Sequence, residues 1–170
     1  FNMKKALKDF YFHFHTKQHY FLCHDILEEA WKDNEPFRKD DAVVSLILLA
    51  TGCYHFRRAN HKGAMKSFSK ALNVIQAYTN DTELGIELES YKTLLLELIE
   101  ATKNNNEFVP IQLPLTPTMH QAILKAYPNY TMTDYTIKDS YIVNHHLERD
   151  RSEVTAARLQ ALHERRNAKM

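Results

Sequence analysis

The sequence predicts an all-α protein: a compact bundle of about five core helices, followed by a Pro-rich strap and a C-terminal helical extension. Three observations predict it. Only 3 Gly and 5 Pro occur in 170 residues, while Leu, Ala, Lys and Glu are abundant, a composition that favours helix over strand. Apolar residues recur at spacings of three and four through most of the first hundred positions. Three of the prolines, Pro110, Pro114 and Pro117, fall in the single stretch TKNNNEFVPIQLPLTPT, which is therefore extended. On this reading residues 3–101 form a core domain, 102–118 a strap or linker, and 119–170 a mostly helical extension.

The first helix spans residues 3 to about 15, with Ala6, Leu7, Phe10, Tyr11 and Phe14 on one side; Phe1 and Asn2, which precede Met3, are left out of the argument. His13, His15 and His19 stand among aromatics at spacings of two and four and read as surface and groove histidines rather than ligands. The second helix runs from Lys17 to about Lys32 and is broken at Asp33-Asn34-Glu35-Pro36, because Pro36 disfavours helix at Glu35. The third, from about Asp40 to Asn60, is apolar on every side and is the central one. His61-Lys62-Gly63-Ala64 is a junction into a fourth helix carrying Met65, Phe68, Ala71, Leu72, Ile75 and Tyr78. Asn80-Asp81-Thr82 supplies a turn and N-cap for a fifth, with Leu84, Leu88, Tyr91, Leu95, Leu98 and Ile99 inward. Beyond the strap come a short helix from Met119 to Tyr127, an extended piece from Tyr130 to Tyr135, and an amphipathic helix from about Asp150 to Lys169. That last helix offers a face for the bundle, a protein partner or a second copy of the chain.

Composition excludes several classes. A formal net charge of +1 makes nucleic acid an improbable partner, since such proteins carry a strongly basic domain. No run reaches the roughly 18 apolar residues that a membrane span needs, because Ser45, Thr51, Gly52 and His55 interrupt the best candidate. Cys23 and Cys53 lie in apolar helices with no secretory signal before them, which predicts reduced thiols and a cytoplasmic protein.

The polar residues within the second and third helices mark a candidate site. At about 100° per residue, His24, Leu27, Glu28 and Trp31 share one stripe. His55 stands one turn after Thr51 near the end of the third helix, with Arg57, Arg58 and Asn60 just beyond. Antiparallel packing across the short turn leaves the two histidines offset by roughly 10 Å along the helices.

HDILEEAW and, further on, CYHFRRANHKGA resemble the pattern of domain-of-unknown-function family 309, over roughly residues 10–78. The matching positions are His24, Leu27, Glu28, Trp31, Tyr54, His55, Arg58, Asn60, Gly63 and Ala64. Three positions depart: Asp25 stands where Glu is usual, Ala59 where Gly is usual, and Leu48 where a Gln is often found. The resemblance implies a helical fold and no particular activity.

Three chemistries follow from the residues. His24 and Glu28, four apart on a helix, form a bidentate arrangement for a divalent metal ion with His55 as third ligand, leaving a position for water and a hydrolase-like reaction. Glu28 can instead accept hydrogen bonds from His55, Arg58 or the Trp31 indole in a network that specifies how the helices cross. Arg57, Arg58, Asn60 and Lys62 form a short basic patch suited to a small anion or phosphate. A metal-free acid/base pair of His24 and Glu28 has neighbours in Ser45 and Thr51 but no activated nucleophile. The expectation is an intracellular binding or interaction module with a polar network of His24, Glu28, Trp31, His55, Arg58 and Asn60. A metal-dependent hydrolase using His24, Glu28 and His55 is the first alternative, and anion binding by Arg57, Arg58 and Lys62 the second.

Overall fold

A computed structural model describes residues 2–144, 159–160 and 162–166. The fold is all-helical, and among the described residues there is no strand, only an isolated antiparallel bridge between Ile86 and Leu115. The helices are α1 (Met3–Phe12), α2 (Tyr20–Asp33), α3 (Ala42–Arg57), α4 (His61–Gln76), α5 (Leu88–Lys103), α6 (Pro117–Ala126) and the short α7 (Ser140–Val143). Of the amphipathic helix expected from Asp150 to Lys169, 159–160 and 162–166 are helical, and the rest lies outside the described residues.

The apolar pattern of α3 dictates its place. Val43, Leu46, Ile47, Leu49, Ala50, Cys53, Tyr54 and Phe56 are all buried, so the helix packs against α2 on one side and α4 on the other. In turn α5 packs on α4, and α1 on α2 and α6. Gly52 lets α3 and α4 approach: a Cβ built there would stand 2.5 Å from Cε1 of the buried Phe68. Ser45 ties three helices together. Its hydroxyl donates to the Ala71 carbonyl at 2.8 Å, so the Tyr91 hydroxyl, also at 2.8 Å, must be the donor to Ser45 Oγ.

Three boundaries differ from the sequence reading. The junction 61–64 is the first turn of α4: Asn60 Oδ1 accepts from the Gly63 amide at 3.0 Å and caps the helix. The fifth helix begins at Leu88, not near Thr82, because Asp81 closes a turn onto the Glu83 amide (2.8 Å) and Gly85 sits at φ 77°, a conformation that helix cannot continue through. Leu84 is nevertheless buried, held by Tyr11, whose hydroxyl donates to its carbonyl at 2.7 Å.

The first helix does not stop at His15. It widens into a π-helical segment, His13–Lys17, and exits through Gln18 at φ 52°. One consequence overturns the reading of His15 as a surface or groove residue: it is 2% exposed. Its Nε2 accepts the Leu113 amide at 2.9 Å, so the proton of the neutral ring sits on Nδ1 and is donated to the Tyr130 oxygen at 2.7 Å. The same segment captures the following stretch of chain. Thr16 Oγ1 donates to the Thr131 carbonyl (2.7 Å), and Thr133 Oγ1 donates to the Thr16 carbonyl (3.0 Å). Gln18 is buried, with its Nε2 donating to the Tyr135 carbonyl at 2.9 Å and its Oε1 accepting the Ile137 amide at 3.0 Å. Residues 130–139, free of helix, thus form an arm laid along 15–18. The Pro-rich stretch is likewise packed, with Ile111 and Leu113 buried in the core.

Candidate functional site

A cavity of about 180 Å³ opens between α2 and α3, lined by Phe21, His24, Thr51, Tyr54 and His55. Both histidines reach it because their axial offset is smaller than expected. His24 stands nine residues before the end of α2 and His55 thirteen after the start of α3, a difference of about 6 Å at the helical rise. The Phe21 and Tyr54 rings meet edge to face at 5.3 Å and form the wall between them.

The polar atoms around the cavity are mostly engaged. His24 directs Nδ1 to Asp25 Oδ1 at 3.2 Å and Nε2 to Glu28 Oε2 at 3.1 Å. Glu28 uses its other oxygen on Lys32, at 2.6 Å. The Thr51 hydroxyl turns back to the Ile47 carbonyl at 3.2 Å. Asn60, whose Oδ1 is committed to capping α4, directs its amide nitrogen to His55 Nδ1 at 3.3 Å. That nitrogen therefore accepts, and the neutral His55 ring carries its proton on Nε2. Burial, aided by the nearby Arg58 charge, lowers the His55 pKa from its ordinary value, so the ring is neutral at pH 7.

These contacts decide what becomes of the expected site residues. His24, Glu28 and His55 do not assemble as a ligand set: among the described residues no group of three or more His, Cys, Asp or Glu could hold a metal ion. The reason is local, since both His24 nitrogens and both Glu28 oxygens already face partners on their own helix. Glu28 pairs with His24 and Lys32 instead of His55, Arg58 or Trp31. Trp31 belongs to the α2–α3 turn, where its Nε1 donates to Asp41 Oδ2 at 3.0 Å and the Arg38 carbonyl at 3.2 Å. Leu48, at the position where a Gln is often found in the family it resembles, is a partly buried residue packed on the core. Ala59, where a glycine is usual, adopts φ 63°, the left-handed region that favours glycine. Phe21 was not singled out in the sequence, although it lies three residues before His24 and so one turn away on the same side.

The basic patch divides in two. Arg57 is turned inward: its guanidinium lies 4.6 Å from the Tyr20 ring centroid, donates to the Gln18 carbonyl, and reaches the Ile142 carbonyl at 3.3 Å. Its Nε and the Tyr20 hydroxyl are both buried without a hydrogen-bond partner. Arg58 lies over Tyr54 at 5.4 Å and donates from Nε to Asn144 Oδ1 at 3.1 Å. The two arginines therefore fasten α7 to the end of α3, while Lys62 remains an exposed side chain. Arg57→Met should keep the packing on Tyr20 and lose both carbonyl bonds. The expected result is amide exchange about tenfold faster at Val143 and Asn144, with α3 amides unchanged; equal rates at 137–144 would show that Arg57 does not hold this segment.

Cys23 and Cys53 are free and buried. Burial raises both thiol pKa values, leaving them as unreactive apolar residues. No described helix is long and apolar enough to cross a membrane.

Comparison with known proteins adds a partial family match and one relative. Residues 7–67 match the family model described as a domain of unknown function, number 309. The chain is similar to the uncharacterized protein YpuF of Bacillus subtilis (strain 168), 27% identical over 170 residues, covering 97% of this chain and 98% of that protein. No solved structure matches. HDILEEAW and CYHFRRANHKGA, the pocket and both arginines all lie inside 7–67, the segment over which the chain is similar to domain-of-unknown-function family 309.

Proposed function

We propose that the protein is a binding module whose α2–α3 pocket receives a single aromatic ring, as a small ligand or as the anchoring side chain of a partner. The observation that carries this reading is the pocket itself: about 180 Å³ walled by Phe21 and Tyr54 and flanked by two imidazoles. An apolar cavity on the order of 150 Å³ holds a benzene-sized guest, and interface anchors are most often aromatic. The engaged polar atoms around it support binding over hydrolysis. Both His24 nitrogens, both Glu28 oxygens and the Thr51 hydroxyl have partners of their own, which leaves ring faces and edges to meet a guest.

The test is a titration of the folded, isotope-labelled protein with p-cresol and with indole. Amide shifts should concentrate at Phe21, His24, Thr51 and His55, and Thr51→Phe, which fills the cavity, should remove them while circular dichroism stays unchanged. If neither probe moves these amides, or the filled variant responds like the wild type, the pocket is not a binding site.

A further inference from the structure

A second cavity, which shares no lining residue with the first, lies between α1, the 81–85 loop and the start of α6. It encloses about 500 Å³, a volume that suits a small ligand. Its walls are fixed by bonds already described or adjacent to them. Tyr11 holds the Leu84 carbonyl, and the Thr116 amide donates to the Gly85 carbonyl at 2.9 Å. Gly85 is required there: its φ is 77°, and a Cβ would strike the Met119 side chain at 2.5 Å. The floor is apolar, with Leu7, Met119 and Ala122.

The charges are segregated across this floor. Lys4 and Lys8, one turn apart on α1, line it from one element, and Asp81 and Glu83 from another. The neighbouring Lys5 is satisfied by Asp9 at 2.7 Å. None of the four lining charges makes an ion pair among the described residues. Two rims of opposite sign that do not reach each other, with an apolar floor between, complement a molecule carrying opposite charges at its two ends and an apolar middle.

We infer that this groove is a binding site for a short zwitterionic peptide with apolar side chains. Its carboxylate faces Lys4 and Lys8, its ammonium faces Asp81 and Glu83, and its side chains lie on Leu7, Met119 and Ala122. This site is independent of the α2–α3 pocket, and neither needs the other to be occupied.

The probe is leucylleucine, titrated into the full chain and followed by amide shifts. Perturbations are expected at Lys8, Gly85, Thr118 and Met119, and not at His24 or His55. N-acetyl-leucylleucine and leucylleucine amide each lack one charge and should bind about threefold to tenfold more weakly. Lys8→Glu and Glu83→Lys change exposed or half-exposed side chains and should each weaken the free dipeptide with the fold intact. Three results overturn the inference: no shifts with leucylleucine, equal affinity for the free and capped dipeptides, or shifts at these residues that follow protein concentration alone, which would make the occupant a second copy of the chain.

Discussion

Acidification from pH 6.5 to about 3 should cost the folded protein on the order of 4 kcal/mol through His15 alone. Burial holds this imidazole far below its ordinary value of 6.5, at about 3. The folded pKa is depressed, so in this window the unfolded chain binds the proton that the folded chain refuses, and stability falls with pH. Above 6.5 both states are neutral and the contribution is complete; below 3 both are protonated and the loss is finished. Replacement tests the same group at neutral pH. His15→Ala strands the Leu113 amide and the Tyr130 hydroxyl and opens a cavity, which should cost about 3–5 kcal/mol. His15→Gln keeps an acceptor and a donor and removes the titration. Denaturant midpoints at pH 7 and pH 4 should therefore lie closer together for His15→Gln than for the wild type. Equal separations would mean that His15 is not the group that refuses the proton.

Gly52→Ala should be among the most damaging single-methyl additions in the chain, at about 3 kcal/mol. The new Cβ would overlap the Phe68 ring at 2.5 and 2.6 Å, and Phe68 is wholly buried in the core. The cost arises from forcing α3 and α4 apart along their contact, so it should be relieved by shrinking the neighbour. Phe68→Leu alone leaves a void, yet Gly52→Ala/Phe68→Leu should be more stable than the sum of the two changes implies, by about 1 kcal/mol or more. Additive losses would show that the helices, and not the ring, resist the methyl.

Helices α1 to α6 were legible because their apolar residues recur at helical spacing, and α3 was legible as the centre because it is apolar on every side; the four-residue α7 is too short to show such a pattern. What remained hidden depends on single residues. Thr82 has the chemistry of a cap, but Gly85 and the bridge from Ile86 to Leu115 delay α5 to Leu88, and such a bridge depends on a partner 29 positions away. His15 stands four residues after Tyr11 and eight after Leu7, on the buried stripe of α1, and was misread because its partners, Leu113 and Tyr130, lie 98 and 115 positions away, where no local pattern shows them. His24 and Glu28 were correctly placed as neighbours. Their spacing could not show that Asp25 and Lys32 would take up the remaining ring nitrogen and carboxylate oxygen, which is what separates a satisfied pair from a ligand set. The Phe21–Tyr54 wall of the pocket needs both helices, so its edge-to-face contact was out of reach of either one read alone.

The arm laid along residues 15–18 also has a cost in time. Its bonds join residues 115 to 119 positions apart, and closing a loop of that size costs about 4 kcal/mol of chain entropy. The contacts among α2, α3 and α4 join neighbours in sequence and close first. During synthesis from the N-terminus, the π-helical turn, the Thr16 carbonyl and the Gln18 side-chain amide must therefore wait, with the bundle largely formed, until residues 131–137 have been made.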